Sequence, residues 1–148
     1  YFNYADSFAM IRGGHLDIRV LGAFPVSIEG DLAPWHTGAK DAIPAVGGAM
    51  DLAIGAKRVF VMMDHQTKSG ASKIVERCSY PLTGVRCVDR IYTDLAVIEV
   101  TSEGLRVVEM VEGLSFDELQ RLSGVPLAIA GPDSAMAGGR KAAAFAGR

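Results

Sequence analysis

A glycine-rich turn followed by an apolar strand is the feature that most constrains the fold of this chain. Gly47 and Gly48 open a run of small residues that predicts a short helix as far as Ala56. Residues 58–63 are almost all apolar, which is typical of a strand covered on both faces. A helix that leads into a buried strand favours an α/β fold. Because glycine lacks a Cβ and the first N–H groups of a helix have no partner within it, the turn predicts a site for an anion or an oxyanion.

The turn also has a purely structural interpretation, in which it lets a helix pack closely against a sheet. No G-x-G-x-x-G follows a strand in this sequence, and no P-loop lysine follows the turn. A nucleotide-binding module is therefore a weak alternative. The shape of the turn alone does not decide between a structural role and an anion site.

Size and composition favour one soluble globular domain. The chain has 148 residues, 49% of them hydrophobic, and a formal net charge of −2, which excludes a disordered or strongly basic chain and predicts no nucleic-acid partner. No run of about 18 apolar residues occurs, so no membrane segment is expected. Cys78 and Cys87 do not have zinc-ligand spacing, and no secretory signal is recognisable. These observations predict a cytoplasmic protein without a metal site.

Alternation and helix-capping signals predict the remaining elements. The expected elements are a helix capped at Asp6-Ser7 and ended by Gly13-Gly14, a strand over 16–22 that 24–28 extends or pairs with, an extended segment over 88–93, a hairpin of 95–100 with 105–110, and a helix over 115–124. For the last helix, Ser115 and Glu118 form a capping box and Gly124 is the stop. An Ala/Gly-rich composition predicts a flexible tail over 128–148, behind a domain over 1–127.

Five further residues, in three places along the chain, are candidates for ligand contacts. Asp64 and His65 follow the apolar strand, at the end where open α/β sheets place their ligand crevices. Lys68 and Lys73 beside them could attract an anion, although a solvated polar loop is the simpler interpretation. Trp35 either stacks on a flat ligand or anchors its loop. No Ser-His-Asp or Cys-His arrangement can be assembled from the sequence.

Several motifs occur in the same order as in the B subunits of family I 3-oxoacid CoA-transferases, which this chain resembles from residue 1 to about residue 127. The motifs are residues 6–17, 20–23, 30–33, 47–52, 80–84 with Cys87, and 111–114. The resemblance implies an α/β fold with an open mixed sheet flanked by helices, of the CoA-transferase (NagB/RpiA-like) type, incomplete at its N-terminus. It further implies that the partner is a CoA-transferase A subunit, in an A2B2-type hetero-oligomer.

The resemblance also implies a reaction and its residues. A glutamate attacks the donor thioester and then carries CoA as a glutamyl thioester, so coenzyme A is a substrate and no resident cofactor is expected. The expected transfer runs from succinyl-CoA to 3-oxoadipate, with acetoacetate as the alternative 3-oxoacid. The Gly48 N–H would form one arm of the oxyanion hole. The residues expected to bind CoA are Gly47, Gly48, Ala49 and Met50, and those expected at the substrate pocket are Gly22, Ala23, Phe24 and His65.

The nucleophile is where this sequence departs from the family pattern. In the family the glutamate stands in a Glu-Asn-Gly turn upstream of the matched segment, and the only Asn here is Asn3. The resemblance therefore implies the C-terminal portion of a B subunit, which does not transfer CoA by itself. The alternative is a non-catalytic fragment that keeps only the fold and the subunit-docking surface.

Two more expectations follow from the same resemblance. Pro25 and Pro34 stand where relatives usually carry Gln and Asn, which leaves the choice of acceptor open. A portion without its first strands leaves an unpaired sheet edge, so the chain alone is expected to aggregate unless the missing segment or a partner holds it.

Overall fold

The computed structural model describes residues 3–22, 25–33, 56–79 and 82–130, which form a mixed sheet with a helix packed on it. The elements are α1 (Tyr4–Arg12), β1 (Leu16–Gly22), β2 (Val26–Ser27), β3 (Ala56–Met62), β4 (Ile74–Val75), β5 (Val88–Tyr92), β6 (Ala96–Thr101), β7 (Gly104–Met110), α2 (Phe116–Ser123) and β8 (Leu127–Ile129). The main sheet has the order β1-β3-β5-β6-β7-β8. Strands β1, β3 and β5 are parallel, β5, β6 and β7 are antiparallel, and β8 is parallel to β7. The predicted open mixed sheet is confirmed.

The hydrophobic core lies on one face of this sheet. Val61, Ile91 and Ile98 contribute to it from three adjacent strands. The segments that follow β1 and β3 pack on the same face through Val26 and Ile74. This agrees with the right-handed crossover rule, because two right-handed connections that run in the same direction across a parallel sheet lie on one side. Leu119 of α2 completes this layer and is fully buried.

The caps of the two helices differ in how well the sequence predicted them. For α2, the Ser115 hydroxyl accepts the Glu118 N–H, and Gly124 ends the helix with a φ of 67°, as predicted. For α1, the predicted cap at Asp6-Ser7 is wrong, because the Asn3 side chain accepts the Ala5 N–H at 3.1 Å. The carboxamide of Asn3 is an equally good cap, so the helix begins one turn earlier. The stop at Gly13 is confirmed.

Three strand predictions need correction. Residues 24–28 were expected to extend β1 or pair with it, but β2 pairs with β4. Strand β3 was expected to be covered on both faces, but Val59 and Val61 are buried on one face while Met62 on the other is 59% exposed. Strand β8 crosses the predicted start of the tail at residue 128. Residues 131–148 lie outside the described residues, as do residues 47–55 of the helix predicted over 47–56, while Ala56 belongs to β3 and not to a helix.

Gly30 occupies a position that no other residue type fits. Its φ is +84°, and a Cβ built there would lie 2.8 Å from the Val88 carbonyl oxygen. Gly70 has the same φ of +84°, but a Cβ there would have no atom within 4 Å. A substitution at Gly70 would therefore cause backbone strain alone, whereas a substitution at Gly30 would cause the same strain together with a steric clash.

We expect Gly30→Ala to destabilise the chain by about 2–4 kcal/mol and Gly70→Ala by only about 1 kcal/mol. Both variants carry the strain of a left-handed backbone, and only the first pushes a methyl group into the β5 backbone. Chemical denaturation of the three proteins measures the difference. Equal losses for the two variants would show that the close approach to Val88 costs nothing.

Candidate functional site

The carboxyl ends of the three parallel strands lie at one edge of the sheet. Gly22 ends β1, Asp64 and His65 follow β3, and Thr93 and Asp94 follow β5. Open α/β sheets bind their ligands outside this edge. The fold thus brings Gly22 and His65, two of the predicted pocket residues, to the same edge of the sheet.

The His65 side chain is fully buried and both of its ring nitrogens have partners. Nδ1 lies 3.1 Å from the Thr93 hydroxyl, and Nε2 lies 2.8 Å from the Ser123 hydroxyl. The Ser123 hydroxyl donates to the Leu119 carbonyl at 2.7 Å, so we assign the proton to Nε2, which donates to Ser123. Nδ1 is then the unprotonated nitrogen, and the single proton of the Thr93 hydroxyl has two acceptors, Nδ1 and the Ala96 carbonyl oxygen, which each lie 3.1 Å from the hydroxyl oxygen. The ring is neutral in this arrangement.

Burial lowers the pKa of His65, and the nearby Asp94 carboxylate opposes this effect. Asp94 also accepts the His65 backbone N–H at 2.7 Å. The residue therefore ties the end of β3 to the turn after β5 and to α2. Its ring faces the interior of the described structure, which is a structural role, and its place in a substrate pocket stays a prediction.

Lys73 is not the solvated loop residue that the sequence suggested. Its side chain is 5% exposed, and Nζ lies 3.1 Å from a carboxylate oxygen of Asp64, which is itself 81% exposed. The backbone of Lys73 is fixed as well, because its N–H donates to the His65 carbonyl and its carbonyl accepts the Val26 N–H. A buried ammonium group thus holds an exposed carboxylate at the ligand edge. Lys68 is exposed, as expected for a polar loop.

A small cavity opens at the same edge, between the end of β5 and the end of β7. Its volume is about 160 Å³, and Asp94, Glu109 and Met110 are among its lining residues. Small-molecule sites usually measure about 300–1,000 Å³. The cavity is too small for a ligand of the size of CoA, and its two carboxylates do not attract an anion.

Neither cysteine has the properties of a nucleophile. Burial raises the pKa of Cys78 to about 11 and that of Cys87 to about 12. Both thiols therefore stay protonated at neutral pH. Both are free, and within the described ranges no group of three or more His, Cys, Asp or Glu residues could hold a metal ion. The prediction that the protein needs no metal stays a prediction.

The predicted oxyanion turn is not part of the described structure. Residues 47–50, Ala23, Phe24 and Trp35 all lie outside the described residues. What the structure adds is the hydroxyl pair of Thr93 and Ser123, which the sequence analysis did not find. The one sequence feature that points to this pair is a histidine close to the end of a buried strand. Nothing in the sequence around Thr93 or Ser123 marks them as its partners.

These features define an α/β protein that builds a ligand edge from the carboxyl ends of parallel strands. Residues 1–121 match the sequence model of the Coenzyme A transferase family. The chain belongs to this family. Neither helix of the described part has the length and apolar character needed to cross a membrane.

Similar proteins are found by sequence and by structure. The chain is 72% identical over 127 residues to the B subunit of 3-oxoadipate CoA-transferase from Pseudomonas putida, a match that covers 86% of this chain and 60% of that protein. It is 51% identical over 120 residues to the B subunit of succinyl-CoA:3-ketoacid coenzyme A transferase from Helicobacter pylori, covering 81% and 58% of the two chains. An acyl-CoA transferase from Escherichia coli O157:H7 has the same fold, with a TM-score of 0.72 at 19% identity over 87% of this chain and 29% of the other. The chain therefore spans about three fifths of the length of the two B-subunit relatives.

Proposed function

We propose that this chain is the larger part of a CoA-transferase B subunit, and that the assembled enzyme moves CoA from succinyl-CoA to 3-oxoadipate. The observation that carries the proposal is the 72% identity to a B subunit that is named for 3-oxoadipate. Family membership and the shared fold support the reaction class. The 51% identity to a 3-ketoacid relative favours a second acceptor, acetoacetate or another 3-oxoacid.

In this proposal the chain supplies an oxyanion donor and not the nucleophile. We propose that the backbone N–H of Gly48 donates to the thioester oxygen on which negative charge develops, and that CoA binds at Gly47, Ala49 and Met50. Glycine at positions 47 and 48 keeps side-chain bulk away from the reacting atoms. The attacking glutamate belongs to the Glu-Asn-Gly turn of the family, which is not present in this sequence.

Two groups of the described structure shape the ligand edge without taking part in the proposed chemistry. His65 fixes the end of β3 from inside the protein through Thr93 and Ser123. Lys73 holds the Asp64 carboxylate at the surface. Because the Cys78 and Cys87 thiols are protonated at neutral pH, neither thiol of the described part competes with a glutamate as nucleophile.

The test is reconstitution of CoA transfer. We expect no thioester exchange from the chain alone. Formation of 3-oxoadipyl-CoA from succinyl-CoA is expected once the A subunit, together with the remaining part of the Pseudomonas putida B subunit, is added. Mass spectrometry of the CoA esters measures the product. A matched control uses the same added part with the glutamate of its Glu-Asn-Gly turn replaced by glutamine, which is expected to abolish transfer. A reconstituted complex that binds but never exchanges CoA would contradict the proposal and would favour the non-catalytic fragment.

The same assay decides the acceptor. Higher kcat/KM with 3-oxoadipate than with acetoacetate supports the proposed substrate, and the reverse order supports the second candidate. The A-subunit partner, the A2B2 stoichiometry, the absence of a cofactor and the cytoplasmic location stay predictions.

A further inference from the structure

Lys73 lies between two segments that the sequence places at the substrate pocket. Its N–H donates to the His65 carbonyl at 3.0 Å, and its carbonyl accepts the Val26 N–H at 3.0 Å. His65 is one of the residues expected at the pocket, and Val26 follows another of them, Phe24, by two positions. The segments that follow β1 and β3 therefore both contact Lys73, at the edge of the sheet where a ligand is expected.

The ammonium group of Lys73 lies directly below the surface of this edge. The side chain of Lys73 is 5% exposed, and its Nζ lies 3.1 Å from a carboxylate oxygen of Asp64, whose own side chain is 81% exposed. An ammonium group that is removed from water needs a negative partner. Because the partner seen here is mostly in solvent, a carboxylate that arrives from solvent can reach Nζ from the same side as Asp64.

The group that Lys73 holds in this structure indicates the chemistry of the ligand, because it is a carboxylate. Asp64 regains its hydration when it leaves Nζ, so its replacement by another carboxylate costs little and keeps the ammonium group paired. One ammonium group also neutralises one carboxylate, whereas a phosphate carries up to two negative charges and would keep one of them uncompensated. The pair of Lys73 and Asp64 is therefore better suited to exchange with a carboxylate than with a phosphate.

We propose that Lys73 binds the carboxylate of the substrate that does not react, and that Asp64 occupies Lys73 when no substrate is bound. This inference rests on the proposed function. Succinyl-CoA carries a free carboxylate besides its thioester, and 3-oxoadipate carries a second carboxylate besides the one that accepts CoA. Lys73 is then a specificity-determining residue, which favours dicarboxylic acids over monocarboxylic acids such as acetoacetate.

The carboxylate site is tested by binding of adipate and hexanoate, which have the same six-carbon chain and differ in one carboxylate. Isothermal titration calorimetry on the reconstituted complex needs no CoA ester, so it does not depend on transfer. Asp64→Asn removes the competing charge from an exposed position and is expected to tighten adipate binding about threefold, with hexanoate unchanged. Lys73→Met keeps the length of the side chain without its charge and is expected to weaken adipate binding about tenfold, toward that of hexanoate.

The ion pair of Lys57 and Asp17 provides matched controls. Its Nζ and carboxylate oxygen lie 2.6 Å apart, and it stands near the amino ends of β1 and β3, at the opposite edge of the sheet. Asp17→Asn and Lys57→Met change the same charges there and are expected to bind adipate like the unmodified complex. Circular dichroism shows whether each variant is folded, and if Lys73→Met is not, the exposed Asp64→Asn variant decides.

Three results would overturn the carboxylate site. They are an effect of Asp64→Asn that is absent or is equal for the two acids, adipate that does not bind, and tighter binding of CoA alone in Asp64→Asn, which would assign Lys73 to a phosphate. If the added parts do not assemble with the chain, the same titrations on the chain alone decide, because both residues of the pair belong to it.

The outcomes also separate this inference from the proposed function. A protein that binds adipate through Lys73 but exchanges no CoA keeps the carboxylate site and contradicts the function. A complex that exchanges CoA while Asp64→Asn and Lys73→Met leave adipate binding unchanged keeps the function and contradicts the carboxylate site.

Discussion

Gly48→Pro is expected to lower the kcat of CoA transfer by about 10²–10³ in the reconstituted enzyme. The substitution removes the backbone N–H that the proposed mechanism directs at the developing oxyanion, and the loss of one such donor typically has an effect of this size. Proline is tolerated in the first turn of a helix, where the N–H has no partner within the helix. The substitution therefore removes the donor at a position where the sequence predicts a helix start.

Gly48→Ala is the matched control for this prediction. Alanine keeps the N–H and adds only a methyl group, so we expect a raised KM for succinyl-CoA with a much smaller loss in kcat. Initial rates of succinyl-CoA consumption over a range of concentrations separate the two parameters. If Gly48→Pro changes KM alone, or if alanine and proline lower kcat equally, the amide does not act as an oxyanion donor.

The elements that the sequence predicted correctly are those whose signals are local. The β6–β7 hairpin and helix α2 are each specified within one short continuous stretch of sequence, by alternation in the first case and by Ser115 and Gly124 in the second. The position of β1 is confirmed for the same reason, because Leu16–Gly22 alternates between apolar and polar residues.

The errors arise where distant segments decide the outcome. Residues 24–28 leave the main sheet because β2 finds β4 almost 50 positions further along the chain. Lys73 is buried because the fold gives its ammonium group a carboxylate partner in Asp64, and composition alone cannot show such a pair. The sequence predicts a tail from residue 128, but β8 pairs with the edge of β7 as far as Ile129. In each case a pairing partner overrides local composition.

The candidate site shows the same division. The position of His65 at the ligand edge could be predicted, since the end of a buried strand is a local feature. The structural role of His65 could not be predicted, because its partners Thr93 and Ser123 lie 28 and 58 positions further along the chain. The burial of the ring therefore depends on the packing of α2 against the sheet.

Replacing His65 with alanine is expected to destabilise the chain by about 2–4 kcal/mol. The substitution removes a fully buried ring and leaves a cavity where α2 meets the sheet, and it also removes the ring's hydrogen bonds to the Thr93 and Ser123 hydroxyls. His15→Ala is the matched control, because His15 is exposed and such surface changes usually cost less than about 0.5 kcal/mol. Urea denaturation at about pH 7.5 or above, where the imidazole is neutral in both states, measures the two losses.

The same residue sets a pH dependence whose sign follows from its burial. Because burial lowers the pKa of His65 below its ordinary value of 6.5, the unfolded chain binds a proton more readily than the folded chain. The stability that His65 contributes is therefore complete above about pH 6.5, and it is lost as the pH falls below that value. The difference in unfolding free energy between the unmodified chain and His65→Ala is expected to shrink between about pH 7 and pH 5. A difference for His65→Ala that does not change with pH would mean that the ring is not held neutral, and the two hydroxyls would then accept hydrogen bonds from both N–H groups of an imidazolium ion.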